Sequence, residues 1–353
     1  LVKAGEPFSA TVTAQNALGS TTPSFGKEGA SVLLTPSLVT PATGNNPAIS
    51  NGTIPGSEFG STGMSNDANG VARVTNLSWT EVGSITLTPT VSDYLGTGAL
   101  TGTASATVGR FYPNHFAVSG TPSVTPTCGF AYFGQSNAVA VSAVVEARNL
   151  ADARTQNYAT GYAGMLASLA LVGADSANGT DQSPRLTQLA CSWSSGQCSL
   201  SGSTAVAKST ATPSSPDNPF AALQLGLKIT DSTDGANFNS LTMNPATAGS
   251  CSAAGTCNAQ AIGSAFPVRF GQLALFPGYG SELAAMAVPM QLQYWNGSAF
   301  VLNGLDTCTS ISPAMVSLSG WSGNLTSGST SVSSVAAFSG GKSTARLSAP
   351  GAG

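Results

Sequence analysis

Six cysteines are the side chains whose chemistry this sequence constrains most. They are Cys128, Cys191, Cys198, Cys251, Cys257 and Cys308. A zinc site would need cysteines two residues apart or histidine ligands, but no two cysteines are that close and His115 is the only histidine. An even number of cysteines without a metal-site pattern predicts disulfides, and therefore folding in an oxidising compartment outside the cytoplasm.

The pairing of these cysteines is predicted from their separation along the chain. Cys191 and Cys198 flank a predicted turn at residues 194–195, which places them opposite each other in a hairpin. The predicted pairs are Cys191 with Cys198, Cys251 with Cys257 and, by elimination, Cys128 with Cys308. Six cysteines allow many connectivities, and six buried thiols are the alternative.

Catalytic chemistry is hard to place in this sequence. Nucleophilic hydrolysis needs a base beside a serine or cysteine, and no G-x-S-x-G elbow occurs. His115 lies among aromatic residues at a predicted domain junction, where a structural histidine is expected. A glycosidase needs two carboxylates flanking its substrate, and the acidic residues offer only chance pairs such as Glu146 and Asp152. The sequence predicts a protein that is not an enzyme and holds no cofactor.

Two features could hold a ligand. Asp231 and Asp234 offer hard oxygen ligands for Ca²⁺, but they lack the spacing of a helix–loop–helix calcium site, so a turn is the alternative. Trp295 lies on the polar side of a predicted strand, next to Asn296 and Gly297. It is the candidate aromatic platform for a glycan, and its alternative role is to cover the end of a core.

The elements that would position these residues are β-strands. Apolar and polar residues alternate in segments 8–15, 85–91 and 288–294, which is typical of strands with one buried face. Pro289 predicts an edge or a bulge for the third segment, because proline lacks a backbone donor. Turn-forming clusters separate the strands, and no segment sustains helical spacing. We predict an all-β chain of two immunoglobulin-like antiparallel sandwiches, at residues 1–109 and at residues 110–353, the second larger and disulfide-linked.

An internal repeat supports two similar units. The pattern V-x-A-x-N-x5-T-x2-[FY] occurs twice, with a separation of 133 residues. It consists of Val12, Ala14, Asn16, Thr22 and Phe25, and then of Val145, Ala147, Asn149, Thr155 and Tyr158. The pattern predicts a strand, a turn near the asparagine and a short return that carries an aromatic side chain.

Composition excludes several classes of protein. Charged residues make up 8% of the chain, against about 25% in ordinary globular proteins. Twelve basic and 15 acidic residues leave no basic patch for nucleic acid, and no apolar run reaches the roughly 18 residues of a membrane-spanning helix. A charge-poor surface suits subunits that pack against copies of themselves, because unpaired ions are costly to bury.

Several segments, taken in order along the chain, resemble one bacterial family. They are residues 3–8, 79–83, 109–116, 130–135, 147–149, 155–158, 269–283, 288–295, 300–303 and 306–309. Together they are similar to the C-terminal domain of unknown function in MshQ-like proteins, which are encoded with the mannose-sensitive haemagglutinin type IV pilus. The resemblance implies export to the cell surface of a Gram-negative bacterium and a non-enzymatic, pilus-associated role. It implies no function for any single residue.

Two functional hypotheses follow. The first is a structural subunit of an extracellular fibre or pilus-associated assembly, whose partner is another copy of itself or another surface protein. A sheet edge left open near an end of the chain would accept a strand from such a neighbour. The alternative is an adhesin or carbohydrate-binding module of a larger surface protein, with a glycan bound at Trp295.

Overall fold

The chain is built from β-strands throughout. The structure is a computed structural model that describes residues 1–59, 70–159, 162, 165–176, 179–209, 214–247, 251 and 255–351. In these ranges the helical elements are three short 3-10 turns, Gly56–Phe59, Ser183–Arg185 and Pro313–Met315. None of the helices found there is long and apolar enough to cross a membrane. The prediction of an all-β fold is confirmed.

The first sandwich consists of eight strands in two sheets. The strands are β1 (Val2–Lys3), β2 (Phe8–Thr13), β3 (Val32–Thr40), β4 (Thr53–Ile54), β5 (Val71–Leu77), β6 (Gly83–Val91), β7 (Leu100–Thr101) and β8 (Val108–Tyr112). One sheet has the order β1-β8-β6-β3-β4, with β7 beside β6, and the other is the antiparallel pair β2-β5. Trp79 and Phe111 are completely buried between the two sheets and contact each other edge to face.

The second sandwich consists of nine strands. They are β9 (His115–Pro126), β10 (Ala131–Tyr132), β11 (Val139–Arg148), β12 (Ser168–Asp175), β13 (Thr180–Asp181), β14 (Trp193–Ser194), β15 (Gln197–Thr204), β16 (Phe220–Thr230) and β17 (Gln260–Arg269). A sheet of order β10-β17-β16-β12-β13 packs against one of order β14-β15-β11-β9. Alternate residues of β11 are buried in the core, as its period-two pattern requires.

A further five-stranded sheet follows the second sandwich and is here called the C-terminal sheet. Its strands are β18 (Gly271–Leu275), β19 (Met286–Trp295), β20 (Phe300–Leu302), β21 (Val332–Val335) and β22 (Lys342–Leu347). Their order is β18-β19-β22-β21, with β20 beside β19. The edge position expected for Pro289 is wrong, because β19 is central. Pro289 has no backbone N–H to donate. It lies just beyond the last β18–β19 pair, which joins Leu275 and Met290, so no pair of that ladder is interrupted.

The prediction of an all-β chain of mainly antiparallel sheets, with a larger disulfide-linked second part, is confirmed, whereas the immunoglobulin-like topology stays a prediction. The predicted division at residue 109 falls within β8, whose sheet belongs to the first sandwich. The two domain ranges, 1–109 and 110–353, therefore stay a prediction.

The internal repeat is confirmed by its hydrogen bonds. In each copy the asparagine Oδ1, of Asn16 or of Asn149, accepts from the backbone N–H groups two and four residues later, at 3.0 Å. In each copy the N–H of the repeat threonine donates to the carbonyl of the repeat alanine, at 2.8 and 2.9 Å. β2 and β11 are thus equivalent strands, and their antiparallel partners β5 and β15 correspond.

Three disulfides lie between residues 128 and 308. They join Cys191 to Cys198, Cys251 to Cys257 and Cys128 to Cys308. The third closes a loop with a sequence separation of 180, whereas the separation of the first is only 7. Disulfides are typical of proteins that fold outside the cytoplasm, which agrees with an extracellular or surface location.

Removing the long-range disulfide should destabilise the protein more than removing the hairpin disulfide. By loop entropy, the Cys128–Cys308 bond contributes about 5 kcal/mol and the Cys191–Cys198 bond about 2.5 kcal/mol. Urea unfolding of C128S/C308S and C191S/C198S, followed by circular dichroism, measures both losses. An equal or smaller loss in C128S/C308S would contradict the expected order.

Candidate functional site

Asp231 and Asp234 make their contacts within the protein. The Asp231 carboxylate accepts backbone N–H bonds from Thr233, Asp234 and Ala236 at distances from 2.9 to 3.3 Å. The buried Asp234 side chain forms an ion pair with Arg110, which raises the pKa of that arginine. Among the described residues, buried Asp234 Oδ2 and Arg110 Nε have no hydrogen-bond partner. Calcium binding at these two aspartates stays a prediction.

Glu146 and Asp152, the carboxylate pair noted in the sequence, are bridged by Arg148. Arg148 Nη2 lies 2.8 Å from Glu146 Oε2, and its Nη1 lies 2.8 Å from Asp152 Oδ2. His115 Nε2 lies 2.9 Å from the other oxygen of Asp152. Arg148 and, to a lesser extent, His115 hold the pKa of Asp152 below its usual range. The guanidinium occupies the space between the carboxylates, so the arrangement is an ion-pair network.

Trp295 is half-buried. Its ring packs edge to face on Phe300 at 5.4 Å, and its Nε1 donates to Asn218 Oδ1 at 3.2 Å. Both contacts hold the indole against the core of the second sandwich. This position matches the alternative in which the tryptophan covers the end of a core, while glycan binding there stays a prediction.

The segments that carry the family resemblance meet at two buried junctions. The first junction lies between the first and second sandwiches, where residues 79–83 face residues 149–157. Its central group is Glu81, which is 1% exposed. Glu81 Oε1 accepts the backbone N–H groups of Val82 and Asn157 at 2.9 and 3.1 Å. Its Oε2 accepts the N–H of Gln156 at 2.8 Å and the side-chain amide of Asn45 at 3.2 Å.

The charge of Glu81 is therefore surrounded by donors from both sandwiches. Burial raises the pKa of Glu81 above its ordinary value of 4.5, although these four hydrogen bonds favour the charged form and lower the pKa. Each carboxylate oxygen accepts two of these bonds, and the loss of any donor weakens the compensation for burying the charge. The carboxylate consequently fixes the position of the second sandwich relative to the first.

Two asparagines complete the first junction. The side-chain amide of Asn157 exchanges a pair of hydrogen bonds with the backbone of Asn45, both at 2.7 Å. Asn149 Nδ2 donates to the carbonyl of Thr80 at 2.9 Å. Val82, which follows Glu81, is itself buried in the core of the second sandwich. Polar and apolar contacts thus cross the same boundary.

Gly83 shows why the motif at this junction ends in glycine. Its φ is +128°, and an ideal Cβ would lie 2.0 Å from the carbonyl oxygen of Thr40. A side chain there would be strained and would also collide with the backbone. Glycine allows β6 to begin directly after the buried carboxylate.

The second junction lies between the second sandwich and the C-terminal sheet. Arg269 lies between the rings of Phe130 and Tyr294, at 5.1 and 4.3 Å from their centroids, and its Nη1 donates to Asn303 Oδ1. Asn303 Nδ2 donates to the Tyr132 hydroxyl at 2.6 Å. That hydroxyl in turn donates to Asp306 Oδ2 at 2.8 Å. The chain of polar contacts thus runs from one unit into the next.

Asp306 links this network to the disulfide beside it. Burial alone would raise its pKa, but hydrogen bonds from Thr309, Tyr132 and the N–H of Cys308 outweigh burial and lower the pKa. Burial and the Asp306 carboxylate together raise the pKa of Tyr132. Asp306 lies near both sulfurs of the Cys128–Cys308 bond, but a disulfide offers no thiolate for a metal.

At both junctions the polar side chains of one unit are hydrogen-bonded to groups of the next. These bonds hold the units in fixed contact. The motif segments of the sequence include both junctions, but they predict no role for Glu81, Asn157 or Asp306. A usable signal was present, because acidic residues within aromatic motifs are unusual in a chain with so few charges.

The ranges of the chain that match a known family agree in part with the structural units described above. Residues 81–258 match the family described as DUF6701, third domain, residues 269–353 its fourth domain and residues 1–73 its second domain. A search of curated protein sequences gives no significant match.

One similar solved structure is FdeC, described as a broadly conserved Escherichia coli adhesin that elicits protection against urinary tract infections. It is 14% identical, with a TM-score of 0.36, over 98% of this chain and 84% of its own. A TM-score this low does not establish a shared fold.

Replacing Asn149 by alanine should weaken the first junction, and the repeat supplies a matched control. Asn16 makes the same turn bonds but is exposed, whereas the amide of Asn149 also reaches Thr80. We expect N149A to lower the free energy of unfolding by about 1 kcal/mol more than N16A, because the partly buried carbonyl of Thr80 loses its donor. Urea unfolding measures this difference. Spin labels at S37C and S199C should also give a broader distance distribution in N149A. Equal effects of both substitutions would contradict a role at the junction.

Tyr132→Phe should weaken the second junction in a pH-dependent manner. Asp306 has a lowered pKa when folded, so it stabilises the protein above its ordinary pKa of 3.8, and this contribution is lost as pH falls through the folded-state value. Removing the hydroxyl removes one of the bonds that lower this pKa. We expect a loss of about 1.5 kcal/mol near neutral pH that shrinks in acid, measured by urea unfolding across pH. A loss independent of pH would show that the hydroxyl does not act through Asp306.

Proposed function

We propose that this chain, which belongs to the DUF6701 family, is a non-enzymatic structural segment of an extracellular surface assembly. The observation that carries the proposal is the way its units are joined. Neighbouring units share a buried carboxylate at the first junction, and a polar network with a disulfide at the second. Such joints resist relative motion, which a spacer or fibre segment requires and an isolated binding module does not.

The distribution of charge supports the same role. With 12 basic and 15 acidic residues in 353, the chain offers little charge to be desolvated when it packs against a neighbour. Contacts between such surfaces depend weakly on salt, which suits a protein exposed to a changing medium. The resemblance to MshQ-like proteins adds an association with a pilus to this proposal.

Electron microscopy of intact producing cells tests the proposed function. Immunogold labelling with antibodies against this chain should mark extended structures outside the cell, and labelling should disappear in cells that lack the protein. Mass spectrometry of the same structures should recover peptides from both sandwiches and from the C-terminal sheet. Labelling confined to the cell interior would overturn the proposal.

A further inference from the structure

The C-terminal sheet has one buried face and one exposed face. Met290, Leu292 and Ala345 are buried on the first, where they form a small core with Phe338. Side chains alternate between the two faces along a strand, and directly paired residues share a face. The residues between the core positions therefore form the opposite face, here called the outer face. Its polar members on β18, β19 and β22 are Gln272, Gln291, Gln293, Lys342, Thr344 and Arg346.

Two exposed cations lie on the outer face, on one strand. Lys342 and Arg346 both belong to β22. They are four residues apart, which separates their Cα atoms by about 13 Å in a strand. Among the described residues neither of them forms an ion pair. Arg185, by contrast, is bound to the Asp217 carboxylate.

The acidic side chains of this part of the chain leave both cations available. The five strands of the C-terminal sheet contain no aspartate or glutamate. Asp306 is buried at the second junction and is hydrogen-bonded there. Glu282, in the loop before β19, forms no ion pair with either cation in the part of the chain that the structure describes. The outer face therefore presents positive charge that an anionic partner can reach.

Three glutamines add a row of amides that leads to Lys342. Gln272 Nε2 donates to Gln293 Oε1 at 2.8 Å, and Gln293 Nε2 donates to Gln291 Oε1 at 3.3 Å. Gln291 is the last of the row, so its own Nε2 donors stay available within the described residues, and it pairs with Lys342 across the ladder. Thr344 places a hydroxyl between the two cations. Hydrogen-bond donors and positive charge thus share one strip, which is the arrangement that carboxylates prefer.

An aromatic ring lies at the far end of the same face. Trp295 is four residues beyond Gln291 on β19, so it shares the outer face and is half-buried there. A sugar ring has an apolar C–H face that can pack on an indole, while its hydroxyls bond to amides. From Trp295 to Ala287, which pairs with Arg346, β19 extends about 26 Å. A surface of this length fits a polymer better than a single small anion.

We propose that the outer face of the C-terminal sheet binds an acidic polysaccharide. Carboxylates of the polymer lie against Lys342 and Arg346, and its hydroxyls accept hydrogen bonds from the Gln291 amide and the Thr344 hydroxyl. A sugar ring packs on Trp295. This binding role is additional to the proposed structural role and does not depend on it.

Biolayer interferometry of the full chain on immobilised polygalacturonate tests the proposal. The methyl ester of the same polymer keeps the sugar backbone without the charge, whereas polyglutamate keeps carboxylates without sugar rings. We expect the tightest binding to polygalacturonate and weaker binding at high salt, because exposed charges are screened. Equal binding to the methyl ester or to polyglutamate would overturn the proposed ligand class, and so would the absence of binding at low salt.

Substitutions on the outer face locate the site. K342A and R346A should each weaken binding about fivefold, because each removes one exposed ion pair with the polymer. Q291E keeps the size of the side chain but places a carboxylate beside Lys342, so it should weaken binding to a similar extent. K228A is the matched control, since Lys228 is an exposed lysine on β16 in the second sandwich, and it should bind as the unmodified protein does.

The variants also decide between this face and a general attraction. If K228A loses as much affinity as K342A, overall positive charge attracts the polymer and the proposed site is wrong. Unchanged binding by K342A/R346A, with a fold confirmed by circular dichroism, would equally reject it. Either result leaves the structural role untouched, because the labelling of intact cells tests that role separately.

Discussion

A carboxylate can be buried only where enough donors converge on it, and Glu81 imposes that requirement on the first junction. Its four hydrogen bonds come from its own turn, from the loop at Asn45 and from the second sandwich at Gln156 and Asn157. The raised pKa shows that these bonds offset the cost of burial incompletely. A shift of either unit would enlarge that cost, so Glu81, together with the asparagine contacts beside it, holds the two sandwiches in their relative position.

Charged side chains elsewhere in the molecule are also few, and several have specific partners within the protein. Several arginines are held in place by particular partners: Arg185 pairs with Asp217 at 3.0 Å and lies over Phe133, while Arg269 lies between two rings. A charged side chain that is paired within the protein contributes little to the long-range attraction of a partner. The surface carries few charged side chains and includes exposed apolar ones such as Leu275. Over most of this surface, recognition has to rely on shape and on backbone hydrogen bonding.

Local patterns in the sequence predict much of the fold. Period-two alternation identifies β2, β6 and β19, and the repeated asparagine turn identifies β2 and β11 as equivalent strands. These features depend on residues within a few positions of one another. The junctions depend instead on contacts such as that between Asn45 and Asn157, which are 112 residues apart. No local pattern shows which polar side chains will meet across such a distance.

The half-buried position of Trp295 illustrates the same limit. Alternation places the indole on the polar side of its strand, where exposure is the natural expectation. The ring is covered because Phe300 returns on the neighbouring strand β20 and Asn218 approaches from the second sandwich. The contact with Asn218, which is 77 residues away, is not visible from the sequence around residue 295.

The disulfide between Cys128 and Cys308 has a mechanical consequence. If tension is applied to the two ends of the chain, the load passes through this bond and bypasses the residues between the two cysteines. With a sequence separation of 180, about 600 Å of polypeptide is excluded from stretching. The first sandwich and the last strands lie outside the covalent loop and would extend first. Most of the second sandwich would keep its fold under a pull that unravels its neighbours.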